Sequence, residues 1–190
     1  MNKKKQECLI KQLNIHQNAL YGLFDSARDR DILPLLKGSG EKCQSLFQGT
    51  RGDLLADVAP WLVKFSENSG FLKKFMEKGW GNSWGIFFAG EADFAMTRRH
   101  FRQFLFVDEM ENGNRLYFRF YDPRVFRMIL PIYEKKQLVE FFTFAGRFFV
   151  EDEDPSMLLQ YSLKDNELET QVTDLEADSE SVNMNDAWPQ

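Results

Sequence analysis

The run "WGIFFAG" at positions 84–90 is apolar without interruption over the length of one strand. A strand with one wet face alternates polar and apolar side chains, whereas an unbroken run needs apolar cover above and below. The chain is therefore expected to build a β-sheet covered by helices. It has the material to do so: 43% of its 190 residues are hydrophobic and nineteen are phenylalanine, enough for one well-buried domain of ordinary size.

The flanking segments fit that frame. "ALYGLFDSA" (19–27) reads as a buried strand ending at Asp25, and "DRDILPLLKGSG" as a short helix stopped at Gly38–Gly40. "CQSLFQGTRGD" reads as a strand entering a glycine-rich turn, and "LLADVAPWLVKF" as a helical turn over 54–58 followed by a strand from Trp61 to Phe65. Phe71, Leu72, Phe75 and Met76 form one helical face that Gly79 ends. "EADFAMTRRHFRQFLF" reads as a helix with Phe94, Phe101, Phe104 and Leu105 inward and Arg98, Arg99 and Arg102 outward. Asn112–Gly113 between "FLFVDEM" and "RLYFRFY" is a strong hairpin signal near the middle of the chain. "KKQLVEFF" reads as helical, and "GRFFVE" and "MLLQYSL" as strands around an Asp154–Pro155 turn. The alternation of strands and helices predicts an α/β fold with a mixed sheet over residues 1–165.

Charge divides the chain further. Residues 151–190 hold twelve acids against the single base Lys164, a charge of −11, which leaves the first 150 residues at +6 within a total of −5. From about Asn166 the sequence is acidic and poor in aromatics, and Leu168, Val172 and Leu175 at i, i+4 and i+7 admit one amphipathic helix before disorder. The expected organisation is a body at 1–165 and an acidic tail at 166–190. A body at +6 lacks the concentrated basic stripe of a nucleic-acid binder, and the tail would repel phosphate, so no nucleic-acid partner is expected.

Compartment and chemistry follow from what the residues allow. Cys8 and Cys43 are too few and too far apart for a disulfide framework or a cysteine zinc site, which fits a reducing compartment. Lys11, Gln12 and Asn14 interrupt the N-terminal apolar residues, so no signal-peptide core forms, and no run approaches the ~20 apolar residues that span a bilayer. A cytoplasmic protein without membrane insertion is expected. The histidines are His16 and His100, and no serine-hydrolase, zinc-protease or P-loop motif occurs. Asp29 and Asp31 sit where helix-entry acids complement the N-terminal dipole. Asp25, at the end of the first strand, is placed where open α/β sheets bind ligands, but one carboxylate is no mechanism. Neither a catalytic set, a cofactor nor a metal is expected. "RGD" at 51–53 carries no weight.

"RLYFRFYDPRVFRMILP" (115–131) is the richest stretch. Read as a strand over 115–121, it turns Leu116, Phe118 and Phe120 to the core and Arg115, Tyr117, Arg119 and Tyr121 the other way. Asp122–Pro123 suits an N-cap and first helical position, with Val125, Met128 and Ile129 inward and Arg124 and Arg127 outward. Arg119, Tyr121, Arg124 and Arg127 would then surround Asp122, with Arg98, Arg99 and Arg102 nearby. Two readings stand open: a structural network satisfied by Asp122 and other acids, or a partner-facing surface rich in the Arg and Tyr that mark interface hot spots.

"YGLFDSARDRDILPLL", "APWLVKF", "GWGNSWGIFFAG", "RRHFRQFLFV" and "YFRFYDPRVFRMILP" together resemble the bacterial family of type VI secretion effector adaptors, or chaperones, once catalogued only as a domain of unknown function. Phe118 to Val125 carry its most diagnostic element, and the five blocks keep their order across roughly 21–145. The resemblance implies a non-enzymatic loading factor that holds a cognate secreted effector and delivers it to the VgrG spike protein. The residues that match the family pattern are Asp25, Trp80, Trp84, Arg99, His100, Arg102, Arg119, Tyr121, Asp122, Pro123 and Arg124. We group Arg98, Arg99, Arg102, Arg119, Tyr121, Arg124 and Arg127 as candidate partner contacts. Asp25, Trp80, Trp84, His100, Asp122 and Pro123 form the structural motif. The chain departs from the family at "FFTFAG" (141–146) and in its acidic tail. Two other classes compete: a small α/β enzyme or ligand-binding protein that uses Asp25 and the arginines on an anionic small molecule, and an immunity protein that blocks a toxin.

Overall fold

The computed structural model describes residues 1–14, 19–49, 54–67, 69–108 and 114–177. His16, the 51–53 tripeptide, the Asn112–Gly113 turn and the chain beyond Ala177 lie outside them. The helices are α1 (Lys3–Asn14), α2 (Ile32–Lys37), α3 (Gly70–Gly79), α4 (Phe94–Gln103), α5 (Pro123–Ile129) and α6 (Lys135–Phe141). The strands are β1 (Ala19–Asp25), β2 (Lys42–Ser45), β3 (Pro60–Lys64), β4 (Gly85–Gly90), β5 (Phe106–Asp108), β6 (Arg115–Tyr117), β7 (Arg147–Glu151), β8 (Met157–Lys164) and β9 (Glu167–Asp174).

Seven strands form one sheet in the order β2-β3-β1-β4-β7-β8-β9, and β5 and β6 form a separate ribbon. The α/β class, the helical cover and the central hairpin are as the sequence predicts, but the pairing is antiparallel at every described junction, where a mixed sheet was expected. Alternation along β4 shows why "GIFFAG" needed two covers. Ile86 and Phe88 enter one core with Phe101 of α4, Phe126 of α5 and Phe141 of α6. Phe87 and Ala89 enter the other with Leu9 of α1, Leu36 of α2 and Phe75 of α3. Leu9 and Leu13, both buried, are the i, i+4 stripe that seats α1, a helix the sequence reading did not place.

Local chemistry sets the helix starts. Ser69 accepts from Leu72 N at 3.1 Å, Asp93 from Ala95 N and Met96 N at 2.8 and 3.1 Å, and Asp122 from Arg124 N at 3.1 Å with Pro123 following. Each side-chain oxygen satisfies an N–H that the first helical turn leaves unpaired.

Three further expectations are corrected. Residues 167–174 are strand β9, not a helix, and the body does not stop at 165: β9 pairs with β8 along its whole length and Leu175 is fully buried. Asp165 and Asn166, at φ 52° and 62°, form the two-residue left-handed turn that closes this hairpin. The cross-strand pairs Leu163↔Leu168 and Leu159↔Val172 use the same apolar residues at period two that were read as helical.

The second correction concerns 115–121, where the strand ends at Tyr117. Phe118 N donates to Leu105 O and Asp122 N to Arg119 O, so the chain turns and alternation fails. Consecutive Phe120 and Tyr121 are both buried while Leu116 is 48% exposed. Third, the inward face of α5 is Phe126 with Leu130 beyond it, and Met128 is 66% exposed. The helical phase follows the larger aromatic.

Candidate partner-binding site

Odd positions of β1 face the core under α4, α5 and α6, so Asp25 ends the strand on the same side as Tyr21 and Leu23. Its carboxylate accepts from Ala27 N at 3.0 Å, an Asx turn that bends the chain out of the sheet. The Arg119 guanidinium donates to the same carboxylate and lies 3.8 Å from Asp122 Oδ2. Asp122 in turn holds Arg124 through two parallel bonds, Nε to Oδ1 at 2.9 Å and NH2 to Oδ2 at 2.6 Å. Burial pushes the Asp122 carboxyl up, but the Arg124 bonds and the charges of Arg124 and Arg119 outweigh it and leave the group below its ordinary value. Tyr121 and Tyr117 share a hydroxyl bond of 2.7 Å, and burial drives the Tyr121 hydroxyl far up.

The remaining arginines do not gather round Asp122 as expected. Arg98 donates to the carbonyls of Ser45 (2.7 Å) and Phe47 (2.9 Å), and Arg102 to that of Leu46 (2.9 Å). Both tie α4 to the exit of β2, a structural role. Arg127, only 15% exposed at its side chain, donates to Glu151 O at 2.7 Å and lies near Asp152 and Glu153. Arg99 is exposed on α4.

The other motif residues are scaffold. Trp80 Nε1 donates to Pro155 O at 2.8 Å, and Trp84 packs edge-on against Phe75 at 5.1 Å. His100 Nε2 faces Phe141 O at 3.2 Å, which makes it the N–H tautomer at that nitrogen, with Phe101, Phe104 and Phe144 around the ring. Burial holds its imidazole below the ordinary value, against the Phe141 carbonyl and Glu140.

The sequence reading missed Glu151. Its buried carboxylate accepts from Gly81 N at 2.5 Å and Ser83 N at 2.7 Å, and so clamps the Gly-Trp-Gly turn. Burial pushes this carboxyl up despite those bonds. The available signal was a lone acid closing the apolar strand "RFFVE".

What stays open to a partner is the β5–β6 ribbon and the arginines beside it. Phe106 and Tyr117 share one face of the ribbon with their rings at 5.5 Å, Arg115 lies over Phe106 at 4.8 Å, and Tyr117 meets Phe47 at 5.8 Å. Val107 and Leu116 form the other face, and all four ribbon side chains are exposed. Tyr117 links this ribbon to Tyr121 and hence to the Asp25–Arg119–Asp122–Arg124 chain. A cavity of about 730 Å³ lies beside it, lined by Gly81, Ser83, Arg124, Arg127, Met128 and residues 151–153, so its two arginines face three acids. A second, of about 760 Å³, opens between α2 and α3, away from Asp25. Among the described residues no three His, Cys, Asp or Glu side chains group to hold a metal, and no helix is long and apolar enough to cross a membrane.

No curated protein and no solved structure matches the chain. Residues 20–140 do match one family, and the match takes in the Asp25 strand end, the Gly-Trp-Gly turn, α4, the ribbon and the Asp122–Pro123 helix start. On that match the chain belongs to the family described as a domain of unknown function, DUF4123.

Proposed function

We propose that the protein is a non-catalytic cytoplasmic adaptor that holds a cognate secreted effector and loads it onto the VgrG spike of a type VI secretion system. One observation carries the reading: the acids of the motif are consumed internally while the ribbon next to them is left apolar and exposed. Asp25 is taken by Arg119 and Asp122 by Arg124, so neither is a free base. Phe106, Val107, Leu116 and Tyr117 stand exposed with Arg115 over the Phe106 ring, and aromatic and arginine side chains of this kind dominate binding energy at protein interfaces.

A small-molecule site would need the arginines to converge with Asp25 in one deep cavity. Asp25 lines neither of the large cavities, and Arg124 and Arg127 meet Glu151, Asp152 and Glu153 in theirs. A broad surface fits a protein partner better.

The test is co-expression with the effector encoded by the neighbouring gene and with VgrG, followed by purification on a tag carried by this chain. Capture of the effector is expected, together with loss of effector delivery on deletion of the gene while the producing cell survives. Capture of neither protein would overturn the reading, and death of the producer would mark an immunity protein instead.

A further inference from the structure

The two edges of the seven-stranded sheet are finished differently. β2 is four residues long, and Arg98 and Arg102 take the carbonyls of Ser45, Leu46 and Phe47 at its exit. Short strands and charges laid across the backbone are how sheet edges are kept from pairing. β9 is eight residues long and pairs with β8 from Met157↔Asp174 to Lys164↔Glu167 without a bulge. Alternate N–H and C=O groups along its outer side therefore point away from the sheet. Among the described residues no backbone group bonds to that side.

We propose that this edge takes up an extended segment of the partner by strand addition, and that the segment alternates basic and apolar residues. The side chains of β9 specify that chemistry. Glu167 and Glu169 lie on one face with Gln171 and Thr173, and Leu168 and the exposed Val172 lie on the other. The strand has three acids, Glu167, Glu169 and Asp174, and no base, and the sequence beyond it adds Glu176, Asp178, Glu180 and Asp186. An incoming strand with basic residues on the glutamate face and apolar residues beside Leu168 and Val172 gains opposite-charge and apolar cross-strand pairs together. Lys135 and Lys164 reach Glu167 and Glu169 at 2.6 and 3.8 Å, but these exposed pairs are readily exchanged.

A second copy of the chain fits the edge poorly. Opposed residues of an antiparallel pair share a face, so β9 would pair with its own copy about a single residue such as Thr170, and that ladder brings together six acids and no base, whose like charges repel. β9 also lies outside the residues shared with the family, which suits a contact particular to this chain's own partner. The inference rests on the adaptor reading only for the source of the segment, the secreted effector.

The test uses the full-length protein and an acetylated, amidated octapeptide of alternating lysine and valine. Binding is expected with slowed amide exchange in β9 and not in β2. A glutamate–valine peptide should bind roughly tenfold more weakly or worse. A lysine–valine peptide N-methylated at every residue keeps its charge but has no residue N–H left on either edge, and should not bind. Glu169→Lys should weaken the lysine–valine peptide while β9 stays folded by circular dichroism. Equal binding of the N-methylated peptide, or binding with no protection in β9, overturns the proposal. So does protection of β9 that appears with rising protein concentration alone, which would assign the edge to a second copy. Peptide binding without capture of the neighbouring-gene effector leaves the edge standing and removes the adaptor reading; the reverse result removes only the edge.

Discussion

Arg119 donates its guanidinium to the carboxylate of Asp25 and so joins the end of β1 to the segment entering α5, 94 positions later. The Asp25 side chain is almost wholly buried, whereas that of Arg119 is 39% exposed. A buried pair that loses one member costs ~3–5 kcal/mol, and solvent screening at Arg119 reduces that. Asp25→Asn and Arg119→Ala are each expected to lower stability by ~1–3 kcal/mol in urea unfolding. The double variant should lose less than the two separately, because the singles remove one shared bond. A fully additive cycle would show that the pair contributes nothing to the fold.

Asp122 and Arg124 form the second pair, and here the two residues are unequal. Asp122 caps α5 through Arg124 N as well as binding the Arg124 side chain. Asp122→Ala is expected to cost ~1–2 kcal/mol from the cap alone. Arg124, half exposed, should cost no more than ~1 kcal/mol as Arg124→Ala. Thermal unfolding of the two variants separates them, and equal losses would contradict the capping role.

Much of this was legible in the sequence because period and turn chemistry are local. The double cover of β4 follows from "GIFFAG", and Asp122–Pro123 announces its own helix start. The partners of the arginines were not legible. Arg98 and Arg102 are satisfied by carbonyls more than fifty positions away, and a carbonyl belongs to every residue, so no side-chain pattern marks it. β9 was missed for a related reason: Leu168, Val172 and Leu175 suit a helix in isolation, and only pairing with β8 across the Asp165–Asn166 turn decides for a strand. Residues 115–121 failed differently, because alternation was extended past the point where Phe118 turns back to Leu105.

His100 gives the fold a pH dependence. Burial among three phenylalanine rings holds its imidazole below the ordinary 6.5, so the unfolded chain takes up a proton before the folded one does. Its stabilising contribution is full above pH 6.5 and is lost as pH falls through the lower folded value. Glu151 runs the opposite way: its carboxyl is raised above 4.5, so its contribution is full below pH 4.5 and is lost as pH rises through the folded value. Asp122, lowered from 3.8, is full above pH 3.8 and acts at lower pH still. His100→Gln, which keeps an N–H for the Phe141 carbonyl, should therefore flatten the loss of stability as pH falls below 6.5. An unchanged slope would exclude His100 as its source.

The Gly-Trp-Gly…Trp-Gly element should tolerate side chains unequally. A Cβ on Gly85 would stand 2.0 Å from Leu23 O, a backbone atom of the central strand β1. Gly85→Ala is expected to cost ~3 kcal/mol or more, since neither strand can move without breaking its ladder. Gly81, at φ +84°, would meet the Pro155 ring at 3.1 Å, and Gly81→Ala should cost ~1–2 kcal/mol from backbone strain. Comparable unfolding midpoints for the two variants would show that the β1–β4 approach is looser than this packing implies.

The ribbon and the scaffold beneath it predict a separation between folding and capture. Leu116 and Arg99 are exposed, and neither meets an acidic partner among the described residues. Leu116→Asp and Arg99→Glu should each leave the unfolding midpoint within ~0.5 kcal/mol of the wild type. Leu116→Asp places a charge in the apolar centre of the ribbon, where hot-spot burial makes truncation cost ~2 kcal/mol or more, so capture of the neighbouring-gene effector or of VgrG should weaken at least about thirtyfold. Arg98→Ala should do the reverse, loosening β2 through Ser45 and Phe47 while leaving the ribbon's exposed residues in place. If Leu116→Asp captured both partners as the wild type does, the ribbon would not be the contact surface, and Arg99 on α4 and the half-exposed Arg124 would be the cations of the family motif to test next.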